Sequence, residues 1–331
     1  MPRPRSSLER AKVNGNSRFA LRTWVRRSPP SPAGRGEKAD GGSSLFGRHI
    51  RILKDTLLEL LKTITQRLEV AGVPSPAADA AWLVAHVAGS SPSALRFALP
   101  LEETQLNTLE GLVKRREARE PLQWILGTTQ FYDLELTVRT GVLIPRPETE
   151  RLLEIVLQEL STDLSTAPQR VVDIGCGSGA LALSIKQRLP QLEVWATDVS
   201  LEAVRLTTDN AAALGLELQI RQTSLLDGID GQFDAIISNP PYLPSGDAIT
   251  AQPEVQLEPA VALYSGADGL QLARQIAELS TSRLTACGLL ALELDPRNAP
   301  AMRDHLEILG FAARLEADLS RRQRFVIGRL G

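Results

Sequence analysis

From Arg170 onward, short runs rich in Val, Ile, Leu and Phe alternate with amphipathic stretches of helical period, and this alternation leaves few architectures open. Strands fit residues 170–174, 193–198, 218–222, 233–238, 288–294, 311–316 and 324–329, and helices fit 178–189, 200–214, 267–286 and 298–309. Strands separated by helices pair in parallel through crossovers, and the helices then cover both faces. The chain is therefore expected to form an α/β domain, a doubly wound, mostly parallel seven-stranded sheet. About seven residues join its last two strands, too few for a parallel crossover, so that pair should be antiparallel, with one strand reversed.

The sequence before this domain has a different period. Ile52, Leu53, Leu57, Leu60, Leu61, Ile64 and Leu68 recur at helical steps and share a face, and Gly72 and Pro74 end that helix. Ser75 can cap a second helix reaching Ala88, a short third helix follows Ser91, and a fourth runs from about Glu102 to Glu120. A small helical bundle results, with the charged 114–120 stretch read as a solvated face. Phe131, Leu134, Leu136 and Val138 approach strand alternation, with a turn at Gly141 before residues 142–144, which reads as a hairpin linker. Pro147 opens a helix running to about Leu160, with Glu148 and Glu150 at its positive end. The expected organisation is residues 1–47 as a disordered basic extension, 48–120 as a helical domain, 121–150 as the linker and 151–331 as the α/β domain.

Charge narrows the function classes. The formal net charge of -2 hides 12 Lys plus Arg against three acids in residues 1–51, which leaves the remainder at -11. An acidic body repels a phosphate backbone, so stable nucleic-acid binding is not expected. The Arg- and Ser-rich beginning matches a disordered or wrongly assigned start, and also the composition of an organelle transit peptide. No charge-free apolar stretch is long enough for a membrane span. Cys176 and Cys287 lie far apart, and His49, His86 and His305 lack metal-ligand spacing, so a reducing, cytoplasmic setting without a metal is expected.

Two loops carry the chemistry. The strand Val171-Val172-Asp173-Ile174 ends in Gly175-Cys176-Gly177-Ser178-Gly179 and leads into a helix. Such a turn brings backbone N–H groups up to a nucleotide-like ligand. Asp198 closes the second strand, where a carboxylate can accept both ribose hydroxyls, although it could instead cap the helix near Ser200. Asp173 can orient the loop or approach a cofactor ammonium through water. Cys176 reads as a small loop residue, since no His nearby in sequence activates it.

The strand Phe233-Asp234-Ala235-Ile236-Ile237-Ser238 empties into Asn239-Pro240-Pro241-Tyr242 at a position where such sheets bind ligands. Two prolines fix the backbone and remove two donors, leaving a rigid ledge of acceptors. The Asn239 side-chain oxygen and the Pro240 carbonyl could hold a planar NH2 group, orient its nitrogen and favour the more positive nitrogen of a transition state. Tyr242 could stack on the flat group or cover it.

Asn239-Pro240-Pro241-Tyr242, the glycine loop and Asp198 resemble the class I S-adenosylmethionine methyltransferases that act on planar nitrogens. Pro121-Leu122-Gln123-Trp124-Ile125-Leu126-Gly127, Leu143-Ile144-Pro145-Arg146-Pro147-Glu148-Thr149-Glu150, Leu257-Glu258-Pro259, Gly266-Ala267-Asp268-Gly269-Leu270 and the 318–324 stretch narrow the resemblance to the HemK/PrmC family. These are glutamine N5-methyltransferases of peptide-chain release factors, and the similarity covers about residues 52–331. It implies S-adenosyl-L-methionine as cofactor and, as protein partner, a class 1 release factor, methylated on the glutamine of its Gly-Gly-Gln loop to modulate translation termination. Carried over, Gly175, Cys176, Gly177, Ser178 and Gly179 would wrap the methionine part, Asp198 would hold the ribose and Leu225 would lie against the adenine. Asn239, Pro240, Pro241 and Tyr242 would bind the glutamine amide, with Asn239 also beside the methyl donor.

The chain departs from the family pattern at Ser224, where an acidic residue is usual, and at Glu293-Leu294-Asp295-Pro296-Arg297, read as a region that shapes the sheet edge without carrying chemistry. An adenine N6-methyltransferase poses the same geometric problem, but the acidic body and the lack of an inserted target-reading domain weigh against it. A nicotinamide oxidoreductase would leave Asn239 to Tyr242 unexplained, and the intact loop and ledge argue against a silent ribosome-associated adaptor.

Overall fold

The structure, a computed structural model, describes residues 43–97, 100–162 and 169–331. The extension expected over 1–47 lies outside them except for 43–47, which belong to helix α1 (Ser43–Val70). Gly72, at φ +74°, ends the run after α1. Helix α2 (Pro76–Val87) starts with Pro at its first position. Ser75 precedes it but makes no side-chain cap, so the fixed φ of Pro76 defines this start. A 3₁₀ turn (Pro92–Phe97) and α3 (Glu103–Glu117) complete the bundle. Its core is Ile64, Leu68, Leu83, Val84, Leu109 and Val113, residues at helical spacing that leave water together.

The charged 114–120 stretch is not simply a solvated face. Arg116 is buried; its Nε donates to Asp79 at 2.7 Å and its Nη2 to Glu254 at 2.9 Å. Arg119 donates twice to Glu254, at 2.7 and 2.6 Å. These acceptors lie 37 and more than 130 residues away, so no local charge pattern reveals them.

The linker also differs from expectation. A short helix α4 (Leu122–Leu126) ends at Gly127, and the hairpin follows at once as β1 (Thr128–Phe131) and β2 (Leu134–Thr137). Phe131 pairs with Leu134, so the turn is Tyr132-Asp133, and residues 142–144 form no strand. Of the apparent single alternation, Phe131 ends one strand, Leu134 and Leu136 belong to the next and Val138 lies beyond it; both residues flanking the tight turn point into the core. Helix α5 (Pro147–Thr162) follows as expected.

The remaining strands are β3 (Arg170–Ile174), β4 (Glu193–Asp198), β5 (Gln219–Gln222), β6 (Phe233–Ser238), β7 (Leu284–Glu293), β8 (Phe311–Ala317) and β9 (Gln323–Leu330). Between them run α6 (Ala180–Arg188), α7 (Leu201–Leu214), α8 (Pro253–Gln256), α9 (Ala260–Leu263), α10 (Gln271–Arg283) and α11 (Ala299–Ile308). Their order in the sheet is β5-β4-β3-β6-β7-β9-β8, with β9 alone antiparallel to its neighbours. Residues 284–286, expected in a helix, already belong to β7. The sheet is the doubly wound arrangement expected.

Strand periodicity sorts the apolar residues between two layers. Val171, Ala235, Ile237, Leu289, Ala291 and Ile327 pack with α5 and α6. Val172, Ile236, Leu290, Leu292 and Val326 pack with α10 and α11. Both faces are covered, which is why these strands read as continuous apolar runs. The order reverses between β3 and β6, and the carboxyl ends of those strands deliver the glycine loop and Asn239 side by side. Ser238 Oγ donates to the Ile174 carbonyl at 2.6 Å, tying the two exits together. Among the described residues, no helix is long and apolar enough to cross a membrane.

Candidate active site

The glycine loop is folded by its own backbone and by α7. Gly175 and Cys176 donate their N–H groups to the Thr197 carbonyl on β4, at 2.8 and 3.0 Å. Gly179 has φ +84°, and an added Cβ would lie 2.8 Å from Leu183 Cδ1 and 2.9 Å from Thr207 Cγ2, so conformation and packing both require glycine. Thr207 Oγ1 donates to the Gly177 carbonyl at 3.0 Å. Asn210 Nδ2 donates to the Ser178 and Thr137 carbonyls at 2.9 and 3.1 Å, while its oxygen accepts from Thr137 N. The linker hairpin and the glycine loop are thus held by one amide on α7, a role that the helical pattern of residues 200–214 does not disclose.

Two carboxylates stand at the strand ends. Asp198 Oδ2 accepts from Gly177 N at 3.0 Å and Oδ1 from Ser200 N at 2.9 Å. Burial raises its pKa, and those N–H groups oppose the rise. Ser200 itself caps α7 by accepting from Ala203 N, so Asp198 supports the loop and the helix start while lining the cavity. Asp173 is more deeply buried; Oδ2 accepts from Ala182 N at 3.3 Å and Oδ1 has no hydrogen-bond partner. Burial, reinforced by the Asp198 charge, pushes its carboxyl up to about 7. Cys176 is buried against Thr207, and burial with the Asp173 and Asp198 charges raises its thiol pKa well above the usual range. It is not poised as a nucleophile.

At the end of β6, Asn239 Nδ2 donates to Thr149 Oγ1 at 3.0 Å, and its Oδ1 is buried with no partner. Thr149 sits in the first turn of α5, within a segment whose sequence discloses only a helix start. A cavity of about 310 Å³ brings together Asp173, the 175–178 loop, Asp198, Leu225, Asn239 and Pro240. Gly179 lies just outside its wall and fixes the turn from behind. Leu225 reaches the cavity from a backbone at φ +51°.

Tyr242 is placed differently from expectation. It does not line the cavity, but packs against the apolar layer containing Leu292, with its backbone carbonyl accepting from Asn298 Nδ2 at 3.0 Å. The two prolines turn the chain back onto the sheet, so the ring supports the ledge from behind. Burial and the Glu293 carboxyl raise the phenol pKa, which keeps it neutral. Glu293 is not at a sheet edge either: β7 lies between β6 and β9, and the Ser238–Leu292 pairing sets Glu293 level with Asn239. Arg146, which lines the cavity, is tied to the buried Glu258 at 2.8 Å.

The donor set fits S-adenosylmethionine. Asp198 offers acceptors suited to ribose hydroxyls, Leu225 and Val199 offer apolar walls suited to a base, and the unpartnered Asp173 oxygen offers negative charge suited to an ammonium. Among the described residues, Arg146 alone brings a cationic side chain to the cavity wall, as suits a cationic ligand.

Residues 151–257 match the methyltransferase small domain, and residues 59–127 match the PrmC N-terminal domain. The chain is 44% identical over 275 residues to the release factor glutamine methyltransferase of Deinococcus radiodurans, spanning 82% of this chain and 98% of that protein. Identity to the release factor glutamine methyltransferase of Rhodospirillum rubrum is 36% over 307 residues, or 89% of this chain and 90% of that one. A methyltransferase from Pyrococcus furiosus aligns with a TM-score of 0.45 at 17% identity, over 60% of this chain and 90% of that chain.

Proposed function

Because this chain belongs to the release factor glutamine methyltransferase family, we propose that it methylates the side-chain amide nitrogen of a glutamine in a class 1 peptide-chain release factor, the glutamine of the Gly-Gly-Gln loop. The observation that carries this reading is the Asn239 carboxamide, whose nitrogen is committed to Thr149 and whose oxygen is left buried without a partner beside the cavity. An amide nitrogen is a poor nucleophile because its lone pair is delocalised. Such a substrate needs orientation and electrostatic support.

S-adenosylmethionine, when bound, supplies an electrophilic methyl group on a sulfonium. Asp198 and Leu225 would hold its nucleoside, Asp173 its ammonium, and the 175–179 loop its methionine part. Asn239 Oδ1 and the Pro240 carbonyl accept the two N–H bonds of a primary amide, fix its plane and favour positive charge on its nitrogen. Pro241 stiffens the ledge and Tyr242 braces it. Neither Tyr242 nor Cys176 removes a proton, since burial keeps both neutral.

A helical substrate-recognition domain over 48–120, joined through a 121–150 linker to a 151–331 methyltransferase domain, and a cytoplasmic location are part of the same proposal. The test is incubation of the purified protein with a purified class 1 release factor and methyl-labelled S-adenosylmethionine. Label on the glutamine amide is expected. No incorporation, with an active methyltransferase control alongside, would overturn the reading.

A further inference from the structure

A carboxamide presents an oxygen on one side and an NH2 group of nearly the same size on the other, so only its hydrogen bonds decide which faces a ligand. For Asn239 the choice is decisive. With Oδ1 toward the cavity it accepts from a primary amide; turned over, it would oppose that NH2 with its own. Thr149, itself buried, accepts from Nδ2 and has one hydroxyl proton left to give.

Glu293 stands level with Asn239 on the neighbouring strand, and the Thr149 hydroxyl bears on its carboxyl. It is fully buried at the carboxyl end of β7, and neither oxygen has a hydrogen-bond partner in the structure. Neither the cofactor cavity nor the acceptor ledge uses this carboxyl directly. Resting on the function proposed above, we propose that Thr149 and Glu293 are positioning residues: the Glu293 carboxylate draws the Thr149 proton to itself, which directs a Thr149 lone pair at Asn239 Nδ2 and locks Asn239 Oδ1 toward the substrate.

The lock depends on charge. Ionised Glu293 can only accept, which fixes the direction of the chain; protonated Glu293 can donate to Thr149, whose proton is then free to attract Asn239 Oδ1 and turn the carboxamide over. The groups that bear on Glu293 are Thr149 and Glu148 on α5, Arg146 just before it, Arg324 on β9 and Tyr242 on the ledge. Burial pushes its carboxyl up to about 7, with Thr149, Arg324 and Arg146 opposing and Glu148 reinforcing. Raised titration of an acid means that the lock is set above this pH and lost below it. Asp173 titrates in the same range but lines the cofactor cavity, so its protonation weighs on donor binding.

The test measures kcat on purified release factor at saturating S-adenosylmethionine, and donor affinity by calorimetry, for the wild type, Thr149→Val, Thr149→Ser, Glu293→Gln and the double variant. Thr149→Val is expected to lower kcat by roughly 10- to 100-fold, the scale of a misplaced contact, with donor affinity within about threefold. Thr149→Ser should keep most of the activity, since it keeps the hydroxyl. Glu293→Gln should flatten the rise of kcat through pH 7, and the double variant should be no worse than Thr149→Val, because the two act as one unit. Wild-type kcat in Thr149→Val, equal losses in Thr149→Val and Thr149→Ser, or an unchanged pH rise in Glu293→Gln would each overturn the proposal. Nuclear magnetic resonance keeps the lock separate from the substrate reading. The Asn239 side-chain NH2 signal, identified by its loss in Asn239→Asp, should exchange slowly with water in the wild type and rapidly in Thr149→Val. A protein inert on release factor yet showing this protection would sink the proposed function alone; fast exchange in the wild type would sink the lock.

Discussion

Replacing Asp173 with Asn should stabilise the cofactor-free protein in a pH-dependent way, although it removes a cavity-lining group. Asp173 is 2% exposed; one oxygen accepts a single long hydrogen bond and the other has no partner. Its carboxyl is moved from 3.8 to about 7, chiefly by burial. A folded-state pKa above the unfolded one means that the folded protein binds the extra proton, so stability falls as pH rises from about 4 to 7 and stays low above it. A tenfold change in ionisation is worth about 1.4 kcal/mol, which sets a ceiling of about 4 kcal/mol on the cost of the charge. Asn keeps an acceptor for Ala182 N but leaves its own NH2 without a partner, at about 1–3 kcal/mol. The net expectation at pH 8 is a gain of about 1–3 kcal/mol, or roughly 1–5 °C in Tm for a protein of this size. Near pH 4.5 the gain should vanish or reverse, because Asp173 is then neutral. Thermal denaturation without and with S-adenosylmethionine reads both halves: the cofactor should stabilise the wild type far more than the variant. A variant no more stable than wild type at pH 8 would refute the reasoning.

Asn239→Ala should retain S-adenosylmethionine binding within about an order of magnitude while kcat falls at least about 100-fold, because the carboxamide oxygen it removes serves to orient the acceptor nitrogen; calorimetry and single-turnover methylation separate the two. Gly179→Ala combines a left-handed backbone with contacts below 3 Å to Leu183 and Thr207, so denaturant unfolding should show a loss of about 2–4 kcal/mol. Arg116→Ala should cost about 3–5 kcal/mol in the same assay, since it strands the buried Asp79 carboxylate and removes one of the two arginines on Glu254.

The parts of the molecule legible in the sequence are those specified locally. Strands buried on both faces, such as Val171–Ile174 and Ala235–Ser238, announce themselves as apolar runs, and each is followed by a backbone that only glycine or proline produces. These signals place the glycine loop and the Asn239 ledge at adjacent strand ends. Interactions made across the chain leave no such trace. Thr149 lies 90 residues from Asn239, and Asn210 joins Thr137 to Ser178 from the middle of a helix with ordinary composition. Glu293 acquires meaning only when the strand order puts it beside Asn239. The turn of the hairpin escapes the sequence for a related reason. Leu134, Leu136 and Val138 alternate correctly, but the turn at Tyr132-Asp133 lacks the Gly or Asn that marks tight turns, so nothing local separates Phe131 from the strand that follows. Tyr242 illustrates the converse: its place in the motif suggests a wall of the site, whereas the backbone after two prolines carries it onto the sheet.

The most direct measurement is a crystal structure with S-adenosylhomocysteine and a glutamine peptide from a class 1 release factor. The peptide's amide nitrogen should lie within hydrogen-bond distance, about 2.7–3.2 Å, of both Asn239 Oδ1 and the Pro240 carbonyl oxygen. A glutamine held elsewhere, or an Asn239 carboxamide presenting Nδ2 to it, would contradict the account.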